Sequence, residues 1–200
     1  MSAQAITPLT AEKLKNILFA TDFSEASMHG LPYISAIARK LGSSVELCHI
    51  VTPRPVVESA PEVAPALSEG MREEAETRLT ALAQSSSLKD IDVKTIVESG
   101  EIADWIPTLI TKENIDLIVA GTHGRTGVRR LVLGSAVEVV CRVATCPVLT
   151  VGPGLAPRKQ VQFSRILFAT DLSADSKRIL PYLRQLGEAY QSAITVFPRF

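Results

Sequence analysis

The sequence predicts an α/β protein: a three-layer α/β/α sandwich built on a doubly wound, parallel, five-stranded sheet, followed by an incomplete second β-α-β repeat. Three observations predict it. Short apolar runs of strand length, such as Lys15–Ala20 (K-N-I-L-F-A) and Ile115–Ala120 (I-D-L-I-V-A), suit strands buried on both faces. They alternate with segments of helical spacing, in the order β-α-β-α-β-α-β-α-β, and right-handed crossovers then restrict the topology to a doubly wound sheet. Turn residues gather directly after the first and fourth runs, where such sheets bind ligands.

Each element has its own local reason. Residues 1–12 read as a tail without the basic and apolar regions of a signal peptide. The first strand, Lys15–Ala20, ends in T-D-F-S (Thr21–Ser24), where Asp22 and Ser24 are both candidate caps for the following helix. That helix aligns Leu31, Ile34, Ala38 and Leu41, holds Pro32 near its start and closes at Gly42. Val45–Val51 is the second strand. Pro53–Pro65, with four prolines, reads as a long surface loop or lid. Ser68–Gln84 is a charged helix and Ile91–Glu98 a strand nearer the sheet edge. The next helix ends at Asn114; Pro107 has no N–H to donate, so the helix either begins near Asp104 or kinks at Pro107. The fourth strand is Ile115–Ala120, the last helix runs to about Val143, and Pro147–Val151 is the fifth strand.

Composition excludes several classes of function. Lys plus Arg equals Asp plus Glu at 21 each, so the chain lacks the basic field of a nucleic-acid or membrane-surface binder. No apolar run is long enough to cross a bilayer. The three cysteines, Cys48, Cys141 and Cys146, form no C-x-x-C motif and suit reduced, buried thiols in a cytoplasmic setting. Paired carboxylates, a Ser-His-Asp set and a dedicated metal cluster are not apparent.

The informative stretch is Ile115–Ser135, I-D-L-I-V-A-G-T-H-G-R-T-G-V-R-R-L-V-L-G-S. A strand, a glycine-rich loop and a helix N-terminus together present free backbone N–H groups and a favourable dipole to an anion. Glycines allow a close backbone approach. Ser135 can cap the helix or donate its hydroxyl to a phosphate oxygen. The spacing Gly121-x2-Gly124-x9-Gly134-Ser135 is neither a Walker A loop nor the dinucleotide fingerprint. With C-P-V-L-T-V at Cys146–Val151, it resembles the ATP-binding branch of the universal stress proteins over residues 13–153.

That resemblance implies a sheet order of 3-2-1-4-5, the adenine nucleotide alpha hydrolase-like architecture, and ATP, with or without Mg2+, as ligand. It places Ala20 and Thr21 on the floor of the site and Asp22 on the ribose hydroxyls. Ile50 would meet adenine. Gly121, His123, Gly124 and Arg125 would wrap the phosphates, and Gly134, Ser135 and Ala136 would bind them at the helix N-terminus. Asp22 has a competing role as a helix cap. His123 has three open readings: base, phosphate donor or turn filler. Of Arg129 and Arg130, one is expected to face solvent. The resemblance also implies a homodimer through the last strand of this domain, or pairing of that strand with the partial repeat.

After a linker at residues 154–164, the chain begins again. R-I-L-F-A-T-D-L-S (Arg165–Ser173) repeats N-I-L-F-A-T-D-F-S (Asn16–Ser24), and L-P-Y at Leu180–Tyr182 repeats Leu31–Tyr33. Residues 165–200 thus read as a partial second universal stress protein repeat, truncated before any glycine loop. Alone it would bury too little apolar surface. It must lean on the first domain, pair with another chain, be poorly ordered, or belong to a chain cut short. The expected function is a nucleotide-dependent sensor or regulatory module in stress response, with slow ATP hydrolysis at most. The alternative is an ATPase or a phosphoryl or nucleotidyl transferase at the same site; a flavodoxin-like redox protein is disfavoured by the scarcity of aromatic residues.

Overall fold

The computed structural model describes residues 14–52, 64–122, 134–152 and 161–198. They fall into two compact units: Lys15–Val161, and a smaller one that joins Leu14 to the residues from Gln162 onward.

The larger unit holds strands β1 (Asn16–Ala20), β2 (Ser44–Val51), β3 (Val93–Ser99), β4 (Leu117–Gly121) and β5 (Val148–Val151). All pairings are parallel, and the order is β3-β2-β1-β4-β5, as the family resemblance implies. Winding reverses between β1 and β4. The helices are α1 (Glu25–Met28), α2 (Leu31–Leu41), α3 (Ala64–Ala83), α4 (Ile102–Lys112) and α5 (Ser135–Val143). Successive strand residues face opposite layers. Leu18, Cys48, Ile96 and Ile118 pack against Ile106 and Leu109 of α4 and Val140 of α5. Ile17, Phe19 and Val45 belong to the opposite layer and are fully buried.

Several boundaries differ from the sequence reading. The helix after T-D-F-S is two helices. Pro32, at the start of α2, cannot donate back to Met28, and Gly30 stands at the break. A Cβ at Gly30 would lie 2.7 Å from the Phe19 ring, so this bend is what seats the helix pair on the sheet. Helix α4 begins at Ile102, before Asp104, and runs on through Pro107. Its entry is set by Gly100, whose φ of 136° only glycine adopts readily and which lets the Trp105 indole N–H reach the Ser99 carbonyl at 3.0 Å. Most of Pro53–Pro65 lies outside the described residues. No helix among the described residues is long and apolar enough to cross a membrane.

The thiols are less uniform than expected. Cys48 is buried, Cys146 is half-buried and Cys141 is exposed.

The smaller unit contains β6 (Arg165–Thr170), α6 (Ala174–Lys177), α7 (Leu180–Tyr190) and β7 (Ala193–Pro198), with β6 and β7 parallel. Phe163 meets Tyr190 edge-on at 4.9 Å, and Leu14 donates its N–H to Gln185. Within this unit Leu167 and Phe197 are more than half exposed.

One core residue is out of character. Glu46 is buried in β2, and its Oε2 has no hydrogen-bond partner. Burial raises its pKa to about 7; Glu113 adds to this, while Lys94 and Ser44 act against it. Lys94 gives its ammonium to Glu113 instead, at 2.5 Å. The fold therefore prefers Glu46 protonated, and it loses stability as pH rises from the ordinary glutamate range through 7. Glu46→Gln is expected to raise the melting temperature by a few degrees at pH 8 and to change it little at pH 4.5, as measured by calorimetry across pH.

Candidate functional site

The site lies where the winding reverses, beyond the carboxyl ends of β1, β2 and β4. A cavity of about 240 Å3 opens there. Its interior is apolar: Ala20, Cys48, Ile50, Ile102, Ile106, Ala120, Val137 and Val140. Its rim carries Thr21, Asp22, Ser27, His49 and Thr52 on the β1–β2 side, and Gly121, Gly134, Ser135 and Ala136 on the β4–α5 side. An apolar slot with polar groups at its mouth suits a flat ring bearing a polar extension.

The T-D-F-S turn builds the first rim. Thr21 Oγ1 accepts from the Phe23 N–H at 2.9 Å and shares a 2.9 Å hydrogen bond with Ser27 Oγ. Asp22 Oδ1 accepts from the Ser24 N–H at 2.9 Å, and Ser24 caps α1 by accepting from Ser27 N–H at 3.1 Å. These bonds hold Phe23 at φ 61°, a left-handed conformation that turns the chain sharply into α1. Partial burial works to raise the Asp22 pKa, but hydrogen bonds from Ser24 and Ser27 outweigh it, and the carboxyl titrates below its ordinary value. Asp22 is thus an anion at neutral pH and acts only as an acceptor. Asp22 does not take the capping role offered for it, which belongs to Ser24; it closes the turn through Oδ1 and stands on the cavity rim.

The opposite rim is built by α5. Its N-cap is Gly134, in an extended conformation, and among the described residues no side chain caps the helix. Ser135 is already the first helical residue, so the capping role offered for it does not occur. The first-turn N–H groups of α5 keep the partial positive charge of an uncapped N-terminus beside the cavity.

Gly121 has a steric role beyond the phosphate approach expected of it. A Cβ there would lie 2.1 Å from the Ala26 carbonyl oxygen and 2.6 Å from Ser27 Cα. The missing side chain lets α1 lie directly on β4. The floor cysteine, Cys48, has its thiol pKa pushed up to about 12 by burial, with Glu98 adding to the effect; it stays protonated and serves as an apolar wall.

Comparison with known proteins decides the family. The family model described as the universal stress protein family matches residues 13–152. The chain belongs to the universal stress protein family. Universal stress protein MJ0531 of Methanocaldococcus jannaschii is 32% identical over 138 residues, covering 68% of this chain and 81% of that one. Universal stress protein A homolog 1 of Coxiella burnetii is 32% identical over 140 residues, covering 68% and 95%. Among solved structures, MJ0577 of M. jannaschii superposes with a TM-score of 0.61 at 29% identity, over 72% of this chain and 99% of that one. A universal stress protein from Archaeoglobus fulgidus shares the fold at 22% identity with a TM-score of 0.73, over 92% of this chain and 66% of that longer one.

Of the residues the sequence singled out, Ala20, Thr21, Asp22, Ile50, Gly121, Gly134, Ser135 and Ala136 all line this one cavity. His123, Gly124 and Arg125 lie outside the described residues, as do Arg129 and Arg130. Sequence reasoning missed the rest of the apolar lining. Ile102 and Ile106 carried a usable signal, since their i, i+4 spacing marks one helix face. Val137 and Val140 carried the same signal at i, i+3. Ser27 and Thr52 carried none, because only the tertiary arrangement brings them to the rim.

Two substitutions separate cap from rim. Ser24→Ala removes a helix cap and is expected to cost about 1 kcal/mol of stability, whereas Ser135→Ala costs less than about 0.5 kcal/mol, both measured by denaturant titration. Gly121→Ala forces α1 off the sheet and is expected to destabilise by more than about 2 kcal/mol in the same measurement.

Proposed function

We propose that the cavity binds an adenine nucleotide, foremost ATP, and that the protein is a cytosolic, nucleotide-dependent regulatory module in stress response, with slow hydrolysis at most. One observation carries the reading. An anionic carboxylate and a helix N-terminus whose cap residue is a glycine stand on opposite rims of the same apolar cavity. An adenine ring suits the slot between Ile50, Ala20 and Ile106. The Asp22 carboxylate, an acceptor on the rim, takes hydrogen bonds from the ribose hydroxyls. The α5 N-terminus, with the Ser135 hydroxyl, takes the phosphates. The resemblance adds His123, Gly124 and Arg125 as the wrap around the phosphate chain, and Mg2+ would arrive with the nucleotide.

Residues 165–200 we read as the opening of a second domain of the same kind, since Thr170, Asp171, Leu172 and Ser173 form the same turn with the same bonds. The outer edge of β5 is the seam we assign to a homodimer, because an open sheet edge presents unpaired backbone groups.

The test is thermal. ATP at roughly a hundred times its dissociation constant is expected to stabilise the protein by about 2.7 kcal/mol, a shift of several degrees, with and without Mg2+. Ala136→Asp puts a negative charge in the first turn of α5, where it favours the helix and repels phosphate. It is expected to keep the apo melting temperature and to abolish the ATP shift. If ATP does not move the melting temperature of the unaltered protein, the reading is wrong. Multiple turnovers lost on Ser135→Ala would move the assignment to an enzyme.

A further inference from the structure

We propose that His49 is a positioning residue for the sugar end of the site: by holding the Thr21 carbonyl from the neighbouring strand, it fixes the direction of the Asp22 carboxylate and so sets ribose recognition. The proposal rests on the nucleotide reading above. His49 stands on β2, one residue before Ile50. Its Nδ1 lies 2.9 Å from the Thr21 carbonyl oxygen. A carbonyl only accepts, so Nδ1 carries the proton and donates. The Thr21 N–H donates in turn to the Cys48 carbonyl at 3.0 Å. Both peptide groups of Thr21 are thereby tied to β2.

The peptide that His49 holds is the one that leads into Asp22. Peptide groups are rigid planes, so restraining this carbonyl restrains the plane from which the Asp22 side chain projects. The imidazole is itself held. The Phe23 ring lies 4.7 Å from it at a 34° tilt, and the Arg78 guanidinium of α3 sits 4.2 Å above the Phe23 ring.

The molecule contains its own comparison. Thr170–Ser173 forms the same turn, with hydrogen bonds that match those of Thr21–Ser24 to within 0.2 Å and with Leu172 at φ 62°. Strand register places Pro198 where His49 stands in the first copy: Ala20 pairs with Cys48, and Ala169 with Phe197. Proline offers no side-chain donor, and Leu172 replaces Phe23. The turn therefore closes without an imidazole, and the histidine in the cavity-bearing copy is not needed to form it. What His49 adds is a fixed orientation of the turn relative to the adenine end of β2.

The experiment compares the affinities of ATP and 2′,3′-dideoxy-ATP by calorimetry for the full chain, His49→Ala and His49→Asn. The unaltered protein is expected to favour ATP by about 10-fold or more, as charged hydrogen bonds to hydroxyls provide. His49→Ala is expected to reduce that preference to about 3-fold or less, with the preference for ATP over AMP unchanged. His49→Asn, whose amide can donate from a similar position, restores it. An equal loss for both nucleotides with the ratio intact, or no loss at all, overturns the proposal while leaving the nucleotide reading in place. Absence of binding by the unaltered protein overturns both. Should His49→Ala fail to fold, Phe23→Leu, the residue the second copy tolerates, tests the same support and is expected to lower the ratio. Nitrogen-15 shifts of the His49 ring in the unaltered protein must also report the Nδ1–H tautomer; the Nε2–H tautomer overturns the assignment.

Discussion

Helix α1 lies so close to the end of β4 that a single methyl group at Gly121 would sit 2.1 Å from the carbonyl oxygen of Ala26. Much of the site follows from that approach. It draws the T-D-F-S turn and the end of β4 to one side of the sheet. Asp22, which follows β1, and the N-terminus of α5, which follows β4, then face one cavity. Parallel sheets with reversed winding leave a crevice between their two central strands. Here the crevice is closed below by Leu18, Ile106 and Leu109 and left open at the strand ends.

The polar groups around that opening are arranged economically. Every hydroxyl of the turn is spent internally: Thr21 on Phe23 and Ser27, Ser24 on the cap, Ser27 on the Ser24 carbonyl. Asp22 closes the same turn through Oδ1 and stands on the cavity rim. On the facing rim, α5 begins with a glycine where a serine or aspartate would have satisfied its first-turn amides. A helix that forgoes a cap of roughly 1 kcal/mol beside a cavity leaves donors available to a ligand. The same turn in the smaller unit shows that T-D-x-S is a portable way to start a helix; the cavity arises only where β2, β4, α4 and α5 surround it. The protonated Cys48 thiol in its floor suits binding rather than covalent chemistry.

Much of this was legible in the chain. The strands could be found because runs such as I-L-F-A and L-I-V-A are apolar on both sides of the pleat, which only a doubly covered strand needs. Asp22, Gly134 and Ser135 could be placed because turn and helix-start chemistry is local. The division of the first helix, the start of α4 at Ile102 and the exposure of Cys141 were not legible. They depend on which atoms meet across the sheet: Gly30 on Phe19, Trp105 over Gly100, and α5 seated by Val137 and Val140.

The sequence by itself determined the alternation of strands and helices, the repeated T-D-x-S turn and the start of a helix at Gly134–Ser135, since each rests on spacing within a few residues. Only the tertiary structure decided that Gly121 is a packing contact, that Ser135 caps nothing, that Glu46 is buried with Oε2 unpartnered and that His49 reaches the Thr21 carbonyl. Those outcomes join atoms from different strands and helices, and contacts of that kind exist only once the sheet has brought its strands into register.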